Sequence, residues 1–117
     1  MKYIIVRTNS LPEIKETDEK KFEEEIRNIL GYDYEVLFSE KVEDGIITYI
    51  GSKEKEPRQP NRALHNWNEF NEIQGYIPSK VFIIYKKQNI SLTDTELKTI
   101  CDVYGKESID YAKKMFT

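Results

Sequence analysis

Three short apolar runs rich in β-branched residues constrain the fold of this 117-residue chain more than any other feature. They are residues 2–7 (KYIIVR), 46–50 (IITYI) and 80–86 (KVFIIYK). Apolar runs of this length, bounded by polar residues and turn signals, are typical of buried strands. The alternation over residues 33–38 predicts a fourth strand, and the Asp44-Gly45 pair that follows it predicts an antiparallel hairpin with the 46–50 strand.

Helical periodicity is strongest over residues 18–30, where apolar side chains recur at helical spacing. The stripe consists of Phe22, Ile26, Ile29 and Leu30. Thr17 or Asp18 can cap the amino end of this helix, and Gly31 stands where a C-cap belongs. Between the first strand and this helix, Asn9, Ser10 and Pro12 act as breakers and predict a loop.

Two further helical segments are expected in the second half of the chain. Residues 62–73 carry an apolar stripe at helical spacing, and Asn61 can cap that helix. Thr93 and Glu96 match a capping box, in which side chain and backbone exchange hydrogen bonds at a helix start. Gly105 is expected to interrupt this C-terminal helical region and so to form a helical hairpin; a single C-terminal helix is the alternative.

This order of elements predicts an α+β fold in one domain spanning residues 1–117. The first six elements match the ferredoxin-like βαββαβ order, with an antiparallel four-stranded sheet and two helices on one face. Alternation in the first strand sends Tyr3 and Ile5 to one face and Ile4 to the other. The second face of the sheet is then either covered by the C-terminal helix or available for binding.

Charge and composition exclude several functional classes. The net charge is −3, divided into −5 over residues 1–50 and +2 over residues 51–117. A duplex-DNA binder usually carries a strongly basic domain or a basic stripe, so duplex DNA is disfavoured as a partner. No segment resembles a membrane span or a secretory signal, which predicts a cytoplasmic protein with no membrane partner. A single Cys leaves no internal disulfide and no thiolate zinc site, so no cofactor is expected.

The candidates for catalysis each have a simpler structural interpretation. His65 is the only imidazole, and on the predicted helix it shares a face with Glu69 and Glu72. Such a face can coordinate a metal, but an exposed helix face with an i, i+4 pair is the more common explanation. Cys101 lies on the apolar stripe of the C-terminal helix, where a thiol behaves as a small hydrophobe. No nucleophile elbow or phosphate-binding glycine loop is present, so the sequence favours a binding protein over an enzyme.

The most suggestive surface is a locally basic segment at the predicted start of the second helix. Residues 51–60 (GSKEKEPRQP) predict a solvated loop. The candidate binding residues in and after this loop are Lys53, Lys55, Arg58, Arg62, His65 and Asn66. Free amides at a helix start and clustered cations together favour an anionic ligand, such as a phosphate or an acidic protein patch. A charged loop that only solvates the protein is the structural alternative.

Three functions follow as expectations. The first is a non-enzymatic protein that binds a larger protein or complex, and a residue composition typical of AT-rich coding suggests a phage- or plasmid-encoded inhibitor of a host system. The second is a sensor or sequestering protein for a nucleotide or another small anionic molecule. The third is an RNA-binding module that stacks bases on Tyr3 and Tyr49 of an open sheet face.

Overall fold

A computed structural model describes residues 1–8, 10–52, 63–65, 73–77, 79–87 and 91–116 of the chain. The elements are β1 (Lys2–Arg7), β2 (Glu13–Glu16), α1 (Glu19–Leu30), β3 (Glu35–Val42), β4 (Gly45–Gly51), β5 (Ala63–His65), β6 (Ile73–Tyr76), β7 (Val81–Lys87) and α2 (Asp94–Phe116). Five strands form an antiparallel sheet in the order β2-β1-β7-β4-β3, and β5 pairs with β6 in a separate two-stranded sheet.

Strand β7 lies in the centre of the five-stranded sheet between β1 and β4. Its residues Phe82, Ile83 and Ile84 are all fully buried, although successive side chains of a strand point to opposite faces. A strand that is covered on both faces needs a continuous apolar run, which the sequence supplies here. The sheet therefore separates two apolar clusters, and each cluster is closed by its own helix.

Helix α1 closes the first cluster and confirms the predicted stripe. Asp18 is the N-cap, since its side chain accepts a hydrogen bond from the Lys20 amide, and Gly31 ends the helix with φ 85°. The cluster is formed by Tyr3, Ile5, Ile26, Leu30, Ile50 and Ile83, with Phe22, Ile29, Tyr34, Val81 and Tyr85 packed around it. We call this side of the sheet the α1 face.

Helix α2 closes the opposite side, which we call the α2 face. The predicted capping box is present, because the Thr93 amide donates to Glu96 Oε1 and the Glu96 amide donates to Thr93 Oγ1. The cluster beneath it is formed by Ile4, Val6, Ile47, Tyr49, Ile77, Phe82, Ile84, Leu92, Leu97, Ile100 and Tyr104. Leu64 of β5 packs against the same cluster, so the β5–β6 pair lies over this face too. Neither of the two helices has an apolar stretch of membrane-spanning length within the residues described.

The predicted hairpin between β3 and β4 is confirmed, with Val42 opposite Gly45 across a turn at residues 43–44. The pairing shifts between Val36 and Phe38, where one extra residue on β3 forms a bulge. Because of this shift, both Leu37 and Phe38 pack against the α2-face cluster instead of alternating between faces.

The α+β class is confirmed, but three parts of the predicted architecture are wrong. The main sheet has five strands rather than four, because residues 13–16 form the edge strand β2 instead of a loop. The ferredoxin-like arrangement is not confirmed, since the sheet has a fifth strand and β7 separates β1 from β4, whereas α2 covers the second face of the sheet, one of the two expected alternatives. The helix predicted over residues 62–73 is contradicted at Ala63–His65 and at Ile73, which belong to paired strands.

The prediction of a break at Gly105 is also wrong, because α2 runs through this residue without interruption. A Cβ added at Gly105 would meet Leu11 Cδ2 at 3.8 Å and Pro12 Cδ at 3.9 Å, which are ordinary contacts. The loop before β2 therefore packs against the middle of α2. The space at this position is sufficient for alanine, and the helix tolerates glycine only at a cost in propensity.

Two glycine substitutions test this packing in opposite directions. A Cβ at Gly51 would lie 2.7 Å from Ser79 Oγ and 2.9 Å from Leu37 Cδ1, so we expect Gly51→Ala to lower the free energy of unfolding. The expected loss is about 1–3 kcal/mol, as for other overpacked sites. Gly105→Ala is expected to raise the free energy of unfolding by about 0.5–1 kcal/mol, because alanine favours the helix. Urea unfolding followed by circular dichroism measures both, and a destabilised Gly105→Ala would contradict a continuous α2.

Candidate functional site

The predicted basic segment lies mostly outside the described part of the chain. Lys53, Lys55, Arg58, Arg62 and Asn66 are not among the described residues, and neither are Glu69 and Glu72 of the metal-site alternative. His65 is described, and it lies on strand β5 instead of on an exposed helix face. The predicted helix, on which His65 would share a face with Glu69 and Glu72, is therefore wrong at His65.

His65 is half-buried and packs edge-on against a group of rings on the α2 face. Its ring centre is 5.8 Å from that of Tyr104, at an interplanar angle of 72°. The Tyr104 hydroxyl donates a hydrogen bond to the Tyr49 hydroxyl at 3.0 Å, and the Phe82 ring stacks on Tyr49. Aromatic edge-to-face contacts of this kind stabilise packing. These contacts anchor β5, which follows the basic segment in sequence, to the α2 face.

Hydrogen bonds hold Ser52, the residue that precedes the basic segment, in place. The Ser52 hydroxyl donates to the Leu30 carbonyl at 2.7 Å, at the carboxyl end of α1. The Ser52 amide donates to Ser79 Oγ at 3.1 Å, and the buried Ser79 hydroxyl donates in turn to the Val81 carbonyl. The basic segment therefore begins beside the end of α1, next to the β3 edge of the sheet.

Exposed side chains suited to recognition lie on α1, on the loop after it and on β3, the elements nearest to Ser52. Tyr32 follows the C-cap of α1 and is 83% exposed, and the Arg27 guanidinium lies 5.6 Å from the centre of its ring. Val36, on the edge strand β3, is 52% exposed. We call Arg27, Tyr32 and Val36, together with the start of the segment at Ser52, the Tyr32 surface. The Tyr32 surface was not predicted from the sequence, although an aromatic residue directly after the helix-ending Gly31 indicates an exposed ring.

A buried lysine joins the turn between β3 and β4 to the start of α2. Lys86 is 1% exposed, and its Nζ lies 2.6 Å from Asp44 Oδ1 and 3.0 Å from Glu96 Oε1. Burial alone lowers the pKa of Lys86, but the hydrogen bonds to Asp44 and Glu96 outweigh it and raise the pKa above its ordinary value. The hydrogen bond from Lys86 holds the pKa of Asp44 below its ordinary value. Lys86 therefore remains charged at neutral pH, which suits a structural ion pair.

The other perturbed groups also stay in their ordinary protonation states at neutral pH. Burial, followed by the hydrogen bond to Glu25, raises the pKa of Tyr3, and burial raises the pKa of Tyr85. Burial and the neighbouring Asp102 carboxylate raise the pKa of the Cys101 thiol, which opposes formation of a nucleophilic thiolate. In the described part of the chain, no group of three or more His, Cys, Asp or Glu side chains is arranged to hold a metal ion.

The two tyrosines considered for base stacking are both buried and lie on opposite faces of the sheet. Tyr3 belongs to the cluster under α1, where its hydroxyl donates to Glu25 Oε2 at 2.8 Å. Tyr49 belongs to the cluster under α2. Base stacking needs an exposed ring face. Tyr3 and Tyr49 therefore do not form an exposed stacking platform.

The ion pairs of Lys86 predict a defined pH dependence of stability. Because folding lowers the pKa of Asp44, its contribution is present above the ordinary pKa of 3.8 and is lost as the pH falls through the folded-state value. Because folding raises the pKa of Lys86, its contribution is lost only as the pH rises above 10.5 and through the folded-state value. We expect Asp44→Asn to lower the urea midpoint at pH 7 and to reduce the loss of stability on acidification.

Glu43→Gln is the matched control for Asp44→Asn, because it removes the adjacent exposed carboxylate of the same turn. Its acid limb is expected to follow that of the wild type. Equal acid limbs for the wild type and Asp44→Asn would show that the contact with Lys86 does not stabilise the folded state.

Comparisons with known proteins do not assign this chain to a family. No family model matches it, and no curated protein or solved structure is significantly similar to it. Its function is therefore inferred from the contacts, charges and exposure of its own residues.

Proposed function

We propose that this chain is a non-enzymatic protein that binds a larger protein partner through the Tyr32 surface and the basic segment that begins beside it. The carrying observation is the exposed Tyr32 ring with the Arg27 guanidinium over it, close in the chain to Leu30, whose carbonyl accepts a hydrogen bond from Ser52, the residue before the basic segment. Tyrosine and arginine are enriched among the residues that contribute most to protein interfaces.

Charge indicates the chemistry of the partner. Residues 53–62 contain Lys53, Lys55, Arg58 and Arg62 against Glu54 and Glu56, a local excess of two positive charges within an acidic chain. An acidic protein surface complements this segment, and complementary charge increases association rates and selects among partners. Ser52, directly before this segment in sequence, is bonded to Leu30 at the end of α1, which supports recognition of one partner by the segment and by Tyr32 together.

Rigidity at the Tyr32 surface favours binding. Gly31 ends α1 in a left-handed conformation, Ser52 is tied to the Leu30 carbonyl, and Val36 is held in the β3–β4 ladder. An aromatic side chain mounted on fixed backbone loses less conformational freedom when it binds than one on a flexible loop. Lone exposed apolar residues are ordinary, so the fixed combination of Tyr32, Val36 and Arg27 supports recognition better than any one of them.

The titratable groups support a binding role over catalysis. General acids and bases work best with pKa values near the operating pH. Among the described residues with perturbed pKa values, the acid Asp44 is shifted down, and Lys86, Cys101, Tyr3 and Tyr85 are shifted up. Each of these shifts moves the group away from neutrality.

The residue composition also suggests a biological setting. The composition typical of AT-rich coding suggests a low-GC bacterium or one of its phages or plasmids, and a phage- or plasmid-encoded inhibitor of a host system needs only a complementary surface. A standard interface of about 800 Å² per partner is within the reach of a chain of this size.

Affinity capture with matched variants tests this proposal. The baits are the wild type, Tyr32→Ala with Val36→Ala, Arg58→Glu with Arg62→Glu, and Leu11→Ala as an exposed apolar control on the opposite edge of the sheet. From a low-GC bacterial lysate, we expect the wild type and Leu11→Ala to retain the same protein. The Tyr32/Val36 and Arg58/Arg62 variants are expected to retain at least about tenfold less of this protein, because substitution of a few central interface residues removes most of the binding energy.

Equal capture by all four baits would contradict the proposed surface. A thermal-shift screen of the wild type against nucleotides is run in parallel. Stabilisation by a nucleotide, together with no captured protein, would favour the small-ligand alternative and overturn the proposal of a protein partner.

A further inference from the structure

The edge strand β2 exposes backbone hydrogen-bonding groups whose identity follows from its pairing with β1. The Thr17 amide donates to the Met1 carbonyl at 2.9 Å, and the pairs that follow are Lys2 with Glu16, Tyr3 with Lys15, Ile4 with Ile14 and Ile5 with Glu13. In antiparallel ladders, hydrogen-bonded and non-hydrogen-bonded pairs alternate. Lys15 and Glu13 therefore direct their backbone groups toward β1. Ile14 and Glu16 direct theirs to the outer edge, where no described strand pairs with them.

An apolar row on the α2 face ends at this edge. The register places Tyr49 beside Ile84, Ile84 beside Ile4, and Ile4 beside Ile14. The first three side chains of the row are buried, whereas Ile14 at its end is 52% exposed. A row of cross-strand contacts that stops at a half-exposed isoleucine has apolar surface available for one more strand.

The charges of β2 complement those of a second copy in one antiparallel register. We infer that two copies of this chain associate through β2, with Ile14 opposite Ile14 of the second copy, so that the two sheets join into one. In this register Glu13 of each copy lies opposite Lys15 of the other, on the α1 face. These are non-hydrogen-bonded pairs, in which opposing side chains are closest. The two Ile14 residues exchange backbone hydrogen bonds and continue the apolar row across the junction.

The competing register of the same edge is disfavoured by charge. The outward backbone groups of Ile14 can also pair with those of Glu16, but this shift places Lys15 directly opposite Lys15 of the second copy. Like charges directly opposite each other destabilise a strand pair. A lysine on an edge strand ordinarily discourages association. In the Ile14-centred register, Lys15 instead meets a carboxylate. Arg7, which lies 2.9 Å from Glu13, adds a second cation beside each carboxylate.

Reversing the charge of Glu13 or of Lys15 tests the Ile14-centred register. Glu13→Lys places lysines opposite one another at both cross-strand pairs, and Lys15→Glu places glutamates there. Sedimentation velocity over a concentration series up to the millimolar range measures association of each variant. We expect the wild type to dimerise and each single variant to dimerise at least about tenfold more weakly, since two attractive pairs become repulsive.

Mixing the two single variants supplies the decisive result, because lysines then face glutamates at both pairs. We expect the mixture to form a heterodimer with wild-type-like affinity, and the double exchange Glu13→Lys with Lys15→Glu to restore the homodimer. Circular dichroism confirms that each variant is folded, and Lys98→Glu on the exposed side of α2 controls for a change of net charge. A wild type that stays monomeric, or single variants and a mixture that all associate like the wild type, would overturn the β2 interface.

Discussion

Burial of β7 on both of its faces is the constraint on which the rest of the fold depends. Phe82 and Ile84 contribute to the cluster under α2, while Ile83 contributes to the cluster under α1. Near the end of the strand, the buried ammonium of Lys86 ties the turn at Asp44 to the capping residue Glu96. Breaking a buried pair by removing one partner is strongly destabilising because it leaves an uncompensated charge. The same strand therefore organises both apolar layers and fixes where α2 begins.

Elements governed by local signals were predictable, and those governed by distant contacts were not. Helix α1 carries its N-cap Asp18 and its C-cap Gly31 in adjacent sequence, and both were identified. Strand β2 (EIKE) contains a single apolar residue, and its extended conformation depends on backbone pairing with β1. The helix expected over residues 62–73 follows a real helical spacing of apolar residues, but tertiary pairing of β5 with β6 overrides it at the described ends.

The proposed binding surface was less predictable than the fold for a related reason. The sequence locates the cations of residues 53–62, but it contains no signal for the hydrogen bond that ties Ser52 to the end of α1. That contact holds Ser52, the residue before the segment, at the end of α1, two residues before Tyr32 in the chain. The position of His65 also depends on a distant element, since its packing on Tyr104 requires α2 to lie across the sheet. Recognition residues assembled by tertiary contacts cannot be read from local composition.

The two proposed interfaces occupy opposite edges of the sheet, and this arrangement has a geometric consequence. The order β2-β1-β7-β4-β3 places the Tyr32 surface beside β3, so a dimer joined at β2 would carry one such surface at each outer edge. With ten strands spaced about 4.8 Å apart, the two outer edges would be roughly 40 Å apart. A two-fold axis through the junction would place both Tyr32 surfaces on the same side of the joined sheet. A partner with two acidic sites at that separation would then bind both copies at once and gain avidity about 10²–10⁴-fold over either site alone, whereas a partner with one site would gain nothing.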